Sequence, residues 1–181
     1  MEVVETGLAG LLLIKPKVFG DARGYFFESY QAERYRKMGV TCDFVQDNMS
    51  RSQQGVLRGL HFQTQHPQDK LVTVSRGQVF DVAVDIRQNS PTFGKSYGVV
   101  LSDENHWQLF VPKGFAHGFY VMSESADFHY KCSDYYHPEF ELGIIWNDPA
   151  LNIDWPIPIG ATPLLSAKDQ KFALLKEATL P

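Results

Sequence analysis

Apolar residues in this chain fall in short stretches, most of them closed by glycine, proline, asparagine or aspartate. Such spacing predicts many short β-strands packed as a sandwich or barrel. Strands are expected at Leu11–Lys15, Tyr25–Glu28, Phe44–Met49, Val56–Phe62, Leu71–Ser75, Gln78–Asp85, Ser96–Leu101, Trp107–Val111, Gly118–Met122 and Phe128–Cys132. Val79, Phe80, Val82 and Val84 make a near-continuous apolar run, as expected of a strand covered on both faces. Gly77, just before it, fits a tight turn between antiparallel strands.

Two stretches read as helix. Gln31 to Met38 follows Ser29 and stops at Gly39, a suitable C-terminal cap. Ser166-Ala167-Lys168-Asp169 matches a capping box, with Phe172 to Leu175 behind it. Between Asn147 and Pro163 the prolines at 149, 156, 158 and 163 predict an extended surface wrap. With no repeat, low-complexity tract or linker, residues 1–181 read as one domain.

Bulk properties narrow the function. The 181 residues include 44% hydrophobic and 13% aromatic positions, a globular composition. A net charge of -4 leaves no electrostatic footprint for nucleic acid. A phosphate-bearing ligand must then be held by a local group of Arg and Lys. Cys42 and Cys132 cannot build a disulfide framework and read as free thiols. The apolar run Leu8 to Ile14 is too short for a membrane span and lacks the basic start of a secretion signal. The expected location is the cytoplasm, away from any membrane.

The densest polar group in an apolar setting is Val56-Leu57-Arg58-Gly59-Leu60-His61-Phe62-Gln63. Strand alternation sends Arg58 and His61 to opposite faces unless Gly59 marks a bulge. A second group, Val111 to Phe119, uses Pro112 and Gly114 to deliver His117 at the start of a strand. These motifs resemble the two sequence motifs of cupins, small jelly-roll barrels with an internal ligand site. Metal-binding cupins carry His-x-His and then a glutamate. Here the second histidine is Gln63, and the glutamate position, separated from Gly77 by six residues, is Lys70. An ammonium has no lone pair for a metal, so no metal site is expected there. His66, in the polar loop Gln63–Asp69, is expected to be solvated. Without a metal, His61 and Lys70 suggest acid–base chemistry beside a carbonyl, with His61 as base and Lys70 steadying an enolate; a metal-dependent oxygenase and a non-catalytic sugar-binding cupin are the alternatives. A tyrosine can supply the proton on the opposite face, and the alternatives are Tyr25, Tyr97, Tyr120, Tyr130, Tyr135 and Tyr136.

The motifs Phe19–Glu28, Phe44–Asn48, Val56–Gln63, Gly77–Asp85, Ser90–Gly94, Pro112–Gly118, Tyr130-Lys131, Ile145–Pro149 and Leu165–Asp169 resemble, in order, the dTDP-4-dehydrorhamnose 3,5-epimerase family. The resemblance runs from about residue 10 to residue 170. It implies an all-β, cupin-like jelly-roll barrel with short flanking helices, and a homodimer needing no cofactor. It implies inversion of carbons 3 and 5 of a 4-keto-6-deoxyhexose carried on dTDP, for cell-surface polysaccharide. Carried over, His61 resembles the general base and Asp169 its orienting carboxylate. Tyr130 resembles the acid on the far face, and Lys70 the enolate partner. Arg23, Arg58 and Lys168 resemble contacts to the nucleotide sugar, with Gln46, Asp47, Asn48, Glu28 and Glu141 beside them. His117 resembles a sugar-side residue, and Tyr136 an aromatic stacked on thymine. The loop Thr64–Asp69 departs from the family pattern and adds His66.

Overall fold

The computed structural model describes residues 1–181. Two antiparallel sheets face each other, as the strand-and-turn pattern requires. The first has six strands in the order β1 (Glu2–Glu5), β2 (Leu12–Lys15), β10 (Gln108–Val111), β7 (Lys70–Arg76), β12 (Ser125–Cys132), β5 (Gln46–Gln53). The second has five: β13 (Glu141–Gly143), β6 (Leu57–Gln63), β11 (Phe115–Val121), β8 (Gln78–Asp85), β9 (Ser96–Ser102). A separate hairpin pairs β3 (Val18–Asp21) with β4 (Gly24–Phe27). The architecture is the cupin-like jelly roll.

Alternation along β8 explains why its sequence is apolar throughout. Val79 and Ala83 join the core between the sheets, where Leu13, Val72, Leu109, Phe119 and Phe128 also lie. Val82 and Val84 face the other way and are covered by Leu151, Trp155 and Leu175 of the C-terminal wrap. Each fully buried residue of this kind contributes ~1.5–3 kcal/mol. The wrap stays extended, as its prolines demand, and is tied down by single bridges Val56 to Leu164 and Ile144 to Ala173. Helix α1 (Ala32–Lys37) begins where Gln31 Oε1 accepts the Arg34 amide at 2.6 Å. It buries Tyr35 on the outer face of the six-stranded sheet, beside Ile14, Leu71 and Phe110.

The sequence expectation for a C-terminal helix does not hold. Asp169–Lys171 and Leu175–Glu177 are single 3-10 turns, and Phe172 between them is extended, with φ -63° and ψ 146°. Half of the capping box forms, since the Asp169 amide donates to Ser166 Oγ at 3.0 Å. The chain then leaves to cover the barrel. Strands β1, β3 and β13 have only four, four and three residues and lack an apolar alternation to announce them.

Candidate active site

The geometry of the site begins with a bulge. Along β6 and β11, His61 pairs with His117 and Arg58 with Phe119, so three steps on β6 oppose two on β11. The extra residue reverses the alternation and turns Arg58 and His61 into one cavity. Gly59 has φ +119°, and a Cβ there would stand 2.5 Å from Gly118 Cα. A Cβ on Gly118 would stand 2.5 Å from the Arg58 carbonyl oxygen, so the two strands cross as closely as two glycines permit.

The cavity, about 290 Å³, lies between the sheets. From the five-stranded sheet come Arg58, His61, Gln63, His117, Phe119 and Glu141; from the six-stranded sheet come Gln46, Asn48, Ser50, Lys70, Phe128 and Tyr130. Tyr136 and Gln68 close its rim.

His61 Nε2 lies 2.9 Å from Asp169 Oδ1, and the second oxygen of Asp169 accepts the Gly59 amide at 3.4 Å. Asp169 is only 2% exposed. Burial pushes its carboxyl up, but hydrogen bonds from His61, Ser166 and Gly59 outweigh that and hold it below the usual carboxylate range. An ionised carboxylate only accepts, so His61 carries its proton on Nε2 and presents the Nδ1 lone pair. That nitrogen lies 3.9 Å from Glu141 Oε1. Burial also raises Glu141, yet hydrogen bonds from Lys168 and Tyr136 bring it below its ordinary value. The Tyr136 hydroxyl donates to Glu141 Oε2 at 2.9 Å, and Lys168 Nζ donates to the same oxygen. Burial and that bond push the Tyr136 phenol up to about 12.

Across the cavity, burial raises the Tyr130 phenol, with Cys132 and Glu141 adding to the effect, so it keeps its proton. Burial lowers the Lys70 ammonium, and no side chain holds it in an ion pair. Arg58 Nε donates to Ser52 Oγ at 3.1 Å, which leaves the terminal guanidinium nitrogens open to an anion. His117 is held differently, with Nε2 at 2.9 and 3.0 Å from the two oxygens of buried Asp81.

Of the residues singled out from sequence, the chain brings together His61, Asp169, Tyr130, Lys70, Arg58, Gln46, Asn48, His117, Tyr136, Glu141 and Lys168. Three lie elsewhere. Arg23 is on the β3–β4 turn, 2.5 Å from Asp21 and 90% exposed at its side chain. Glu28 pairs with Arg34 at 3.1 Å. Asp47 points out of the barrel and accepts from Lys131 at 3.0 Å. Gln68, Ser50, Phe119 and Phe128 escaped the sequence reading. The alternation Gln46, Asn48, Ser50 along β5 was the available signal for Ser50.

Two sheets enclosing a pocket with a carboxylate-bound histidine opposite a tyrosine define a jelly-roll site built for proton transfer. The family model for dTDP-4-dehydrorhamnose 3,5-epimerase matches residues 5–177. This chain belongs to that family. The dTDP-4-dehydrorhamnose 3,5-epimerase of Escherichia coli is 52% identical over 179 residues, covering 98% of this chain and 96% of that one. The crystal structure of the Legionella pneumophila 3,5-epimerase with dTDP-4-keto-L-rhamnose superposes with a TM-score of 0.95 at 57% identity, covering 98% and 94%. A 3'-monoepimerase from Streptomyces bikiniensis, solved with dTDP-quinovose, gives 0.86 at 32% identity, covering 93% and 85%.

Proposed function

We propose that this chain converts dTDP-4-dehydro-6-deoxy-D-glucose to dTDP-4-dehydro-L-rhamnose by inverting carbons 3 and 5. The observation that carries the reading is the placement of His61–Asp169 and Tyr130 on facing sheets, with Lys70 unpaired in the same cavity. His61 Nδ1 takes the proton from carbon 3, and the electron pair moves onto the 4-keto oxygen as an enolate. The Lys70 ammonium stabilises that oxygen as its charge develops. The Tyr130 hydroxyl then protonates carbon 3 from the other face as the carbonyl re-forms. Exchange with water returns the proton to Tyr130 and removes it from His61, and the cycle repeats at carbon 5. Protons alone move, and no oxidation state changes.

Arg58, Gln46, Asn48 and Tyr136 line the end of the cavity suited to the nucleotide diphosphate, with the guanidinium on phosphate. Glu141 and Lys168 form a fixed pair that orients Tyr136 and the outer side of His61, and His117 supports the sugar side. Nuclear magnetic resonance of the substrate with the protein in heavy water tests the reading. Deuterium at carbons 3 and 5 is expected; an absence of exchange in folded protein that binds dTDP overturns it. Deuterium at carbon 3 alone would move the chain to the monoepimerase reading, which the Streptomyces structural neighbour keeps in view.

The working assembly in this reading is a homodimer, in the cytoplasm, supplying cell-surface polysaccharide. Its support is the exposed apolar hairpin and the free Cys42 and Cys132. No helix is long and apolar enough to cross a membrane.

A further inference from the structure

Beside the pocket, outside the proton-transfer machinery, two imidazoles and a carboxylate converge from two segments. Donor atoms of His66, Asp134 and His137 all lie within 4.8 Å of one another. His66 Nδ1 is 3.6 Å from Asp134 Oδ2, and the rings of His66 and His137 stack with centroids 4.3 Å apart. All three side chains reach solvent, with exposures of 49%, 38% and 31%. The backbones beneath them are fixed. Gln63 Nε2 donates to the His66 carbonyl at 2.6 Å, and Gln63 Oε1 accepts the His137 amide at 2.7 Å. Gln68 Nε2 donates to the Asp134 carbonyl at 2.8 Å. His66 itself sits at φ +52°, in the left-handed region. Glu139 Oε1 lies 3.6 Å from His137 Nδ1, where a second carboxylate can fix the ring and leave the other nitrogen free.

We infer that His66, Asp134 and His137 bind a divalent transition-metal ion of the zinc, nickel or copper kind. Two imidazoles select such an ion over magnesium or calcium, which take oxygen donors. One carboxylate offsets part of the charge, and three protein ligands leave a position for water. Zinc needs its donors at ~2.0–2.2 Å, so the exposed side chains rotate inward on binding while the Gln63 and Gln68 bonds hold the backbone. The bound ion clips the loop carrying His66 to the segment carrying Tyr136, the residue at the pocket rim whose amide donates to Gln46 at 3.1 Å. Gln63 thus holds a different metal cluster together from the position where metal cupins place a ligand. The ion stays outside the proton path and steadies the rim.

Calorimetric titration of the chelator-stripped full chain with zinc chloride tests this, with cobalt chloride as a spectroscopic probe. The expected result is one ion per chain, a rise in melting temperature on binding, and visible cobalt bands. The cobalt protein should also show two paramagnetically shifted imidazole N–H resonances. His66→Ala and His137→Ala should each weaken binding at least tenfold, and His66→Gln serves if the alanine variant folds poorly. Metal-free His66→Ala should keep wild-type turnover. No zinc binding by the wild-type chain, binding that both histidine variants leave unchanged, or a cobalt spectrum without imidazole signals would each overturn the site.

Discussion

His61 works as a base only if its Nδ1 lone pair is offered to the cavity, and the 2.9 Å bond to Asp169 imposes that tautomer. His61→Asn keeps a polar side chain of similar reach but no basic nitrogen, and turnover should fall ~10²- to 10⁴-fold with an unchanged melting temperature. Retention of a tenth of the wild-type rate would show that another group takes the proton. Tyr130→Phe separates the two halves of the cycle. The base still removes the proton and returns solvent deuterium from its own face, so isotope should enter while the inverted product falls ~10²-fold or more. A variant that lost exchange and inversion together would place Tyr130 in proton removal instead. For Asp169, sequence alone suggests a capping residue, because Ser166 stands three positions earlier. The cap uses only its amide, and the carboxylate turns to His61. That choice depends on a strand 108 positions away and is invisible locally.

Most strands were legible because their apolar runs are short and closed by turn residues, even where, as in β8, β10 and β11, both faces are covered. The bulge that assembles the site was only half legible: Gly59 signals it, but the partner glycine that makes room sits on another strand. Gly118→Ala should therefore cost ~1–3 kcal/mol, because its Cβ meets backbone oxygen rather than a movable side chain. It should also displace Arg58 from His61, so kcat/KM falls along with the urea midpoint. A stable variant of full activity would mean the strands can part without disturbing the cavity. On β5, alternation separates inward Asn48 from outward Asp47, a distinction the family resemblance does not make. Another element-level device is the loop after β8, gathered on the buried carboxylate of Asp85. Burial raises that group, but bonds from Arg87, Ser90 and Thr92 prevail and leave it far below the usual carboxylate range. A lowered folded-state pKa contributes stability above the unfolded value near ~3.9 and loses it as pH falls through the folded one. Asp85→Asn should destabilise by ~2–4 kcal/mol at pH 7. Its melting temperature should then fall less steeply than that of the wild type as pH drops below ~4. Parallel curves for the two proteins would show that the loop is held by something else.

The β3–β4 hairpin is the feature a lone chain does not explain. On one face Tyr25 and Phe27 stack on His106 with ring centroids 4.4 and 4.9 Å away, though Tyr25 stays 60% exposed. On the other, Phe19 pairs with Phe26, and these rings are 54% and 70% exposed. A two-stranded ribbon is marginal in water without an apolar partner, and exposing both rings forgoes most of the burial energy that could hold it. The same hairpin carries Arg23, which no contact brings to the cavity of its own chain. A homodimer in which each hairpin lies against the other barrel would cover Phe19 and Phe26. It would also give Arg23 a route to a pocket. Sedimentation should accordingly find twice the 20.6 kDa chain mass. Phe19→Ser with Phe26→Ser should shift the protein toward monomer, with little change in the melting of the barrel core. Arg23→Ala, which leaves the apolar contact intact, should stay dimeric and raise KM for the nucleotide sugar. If the double serine variant remained dimeric, the hairpin would not be the interface. If Arg23→Ala left KM unchanged, that side chain would remain what it is in one chain, the solvent-exposed partner of Asp21.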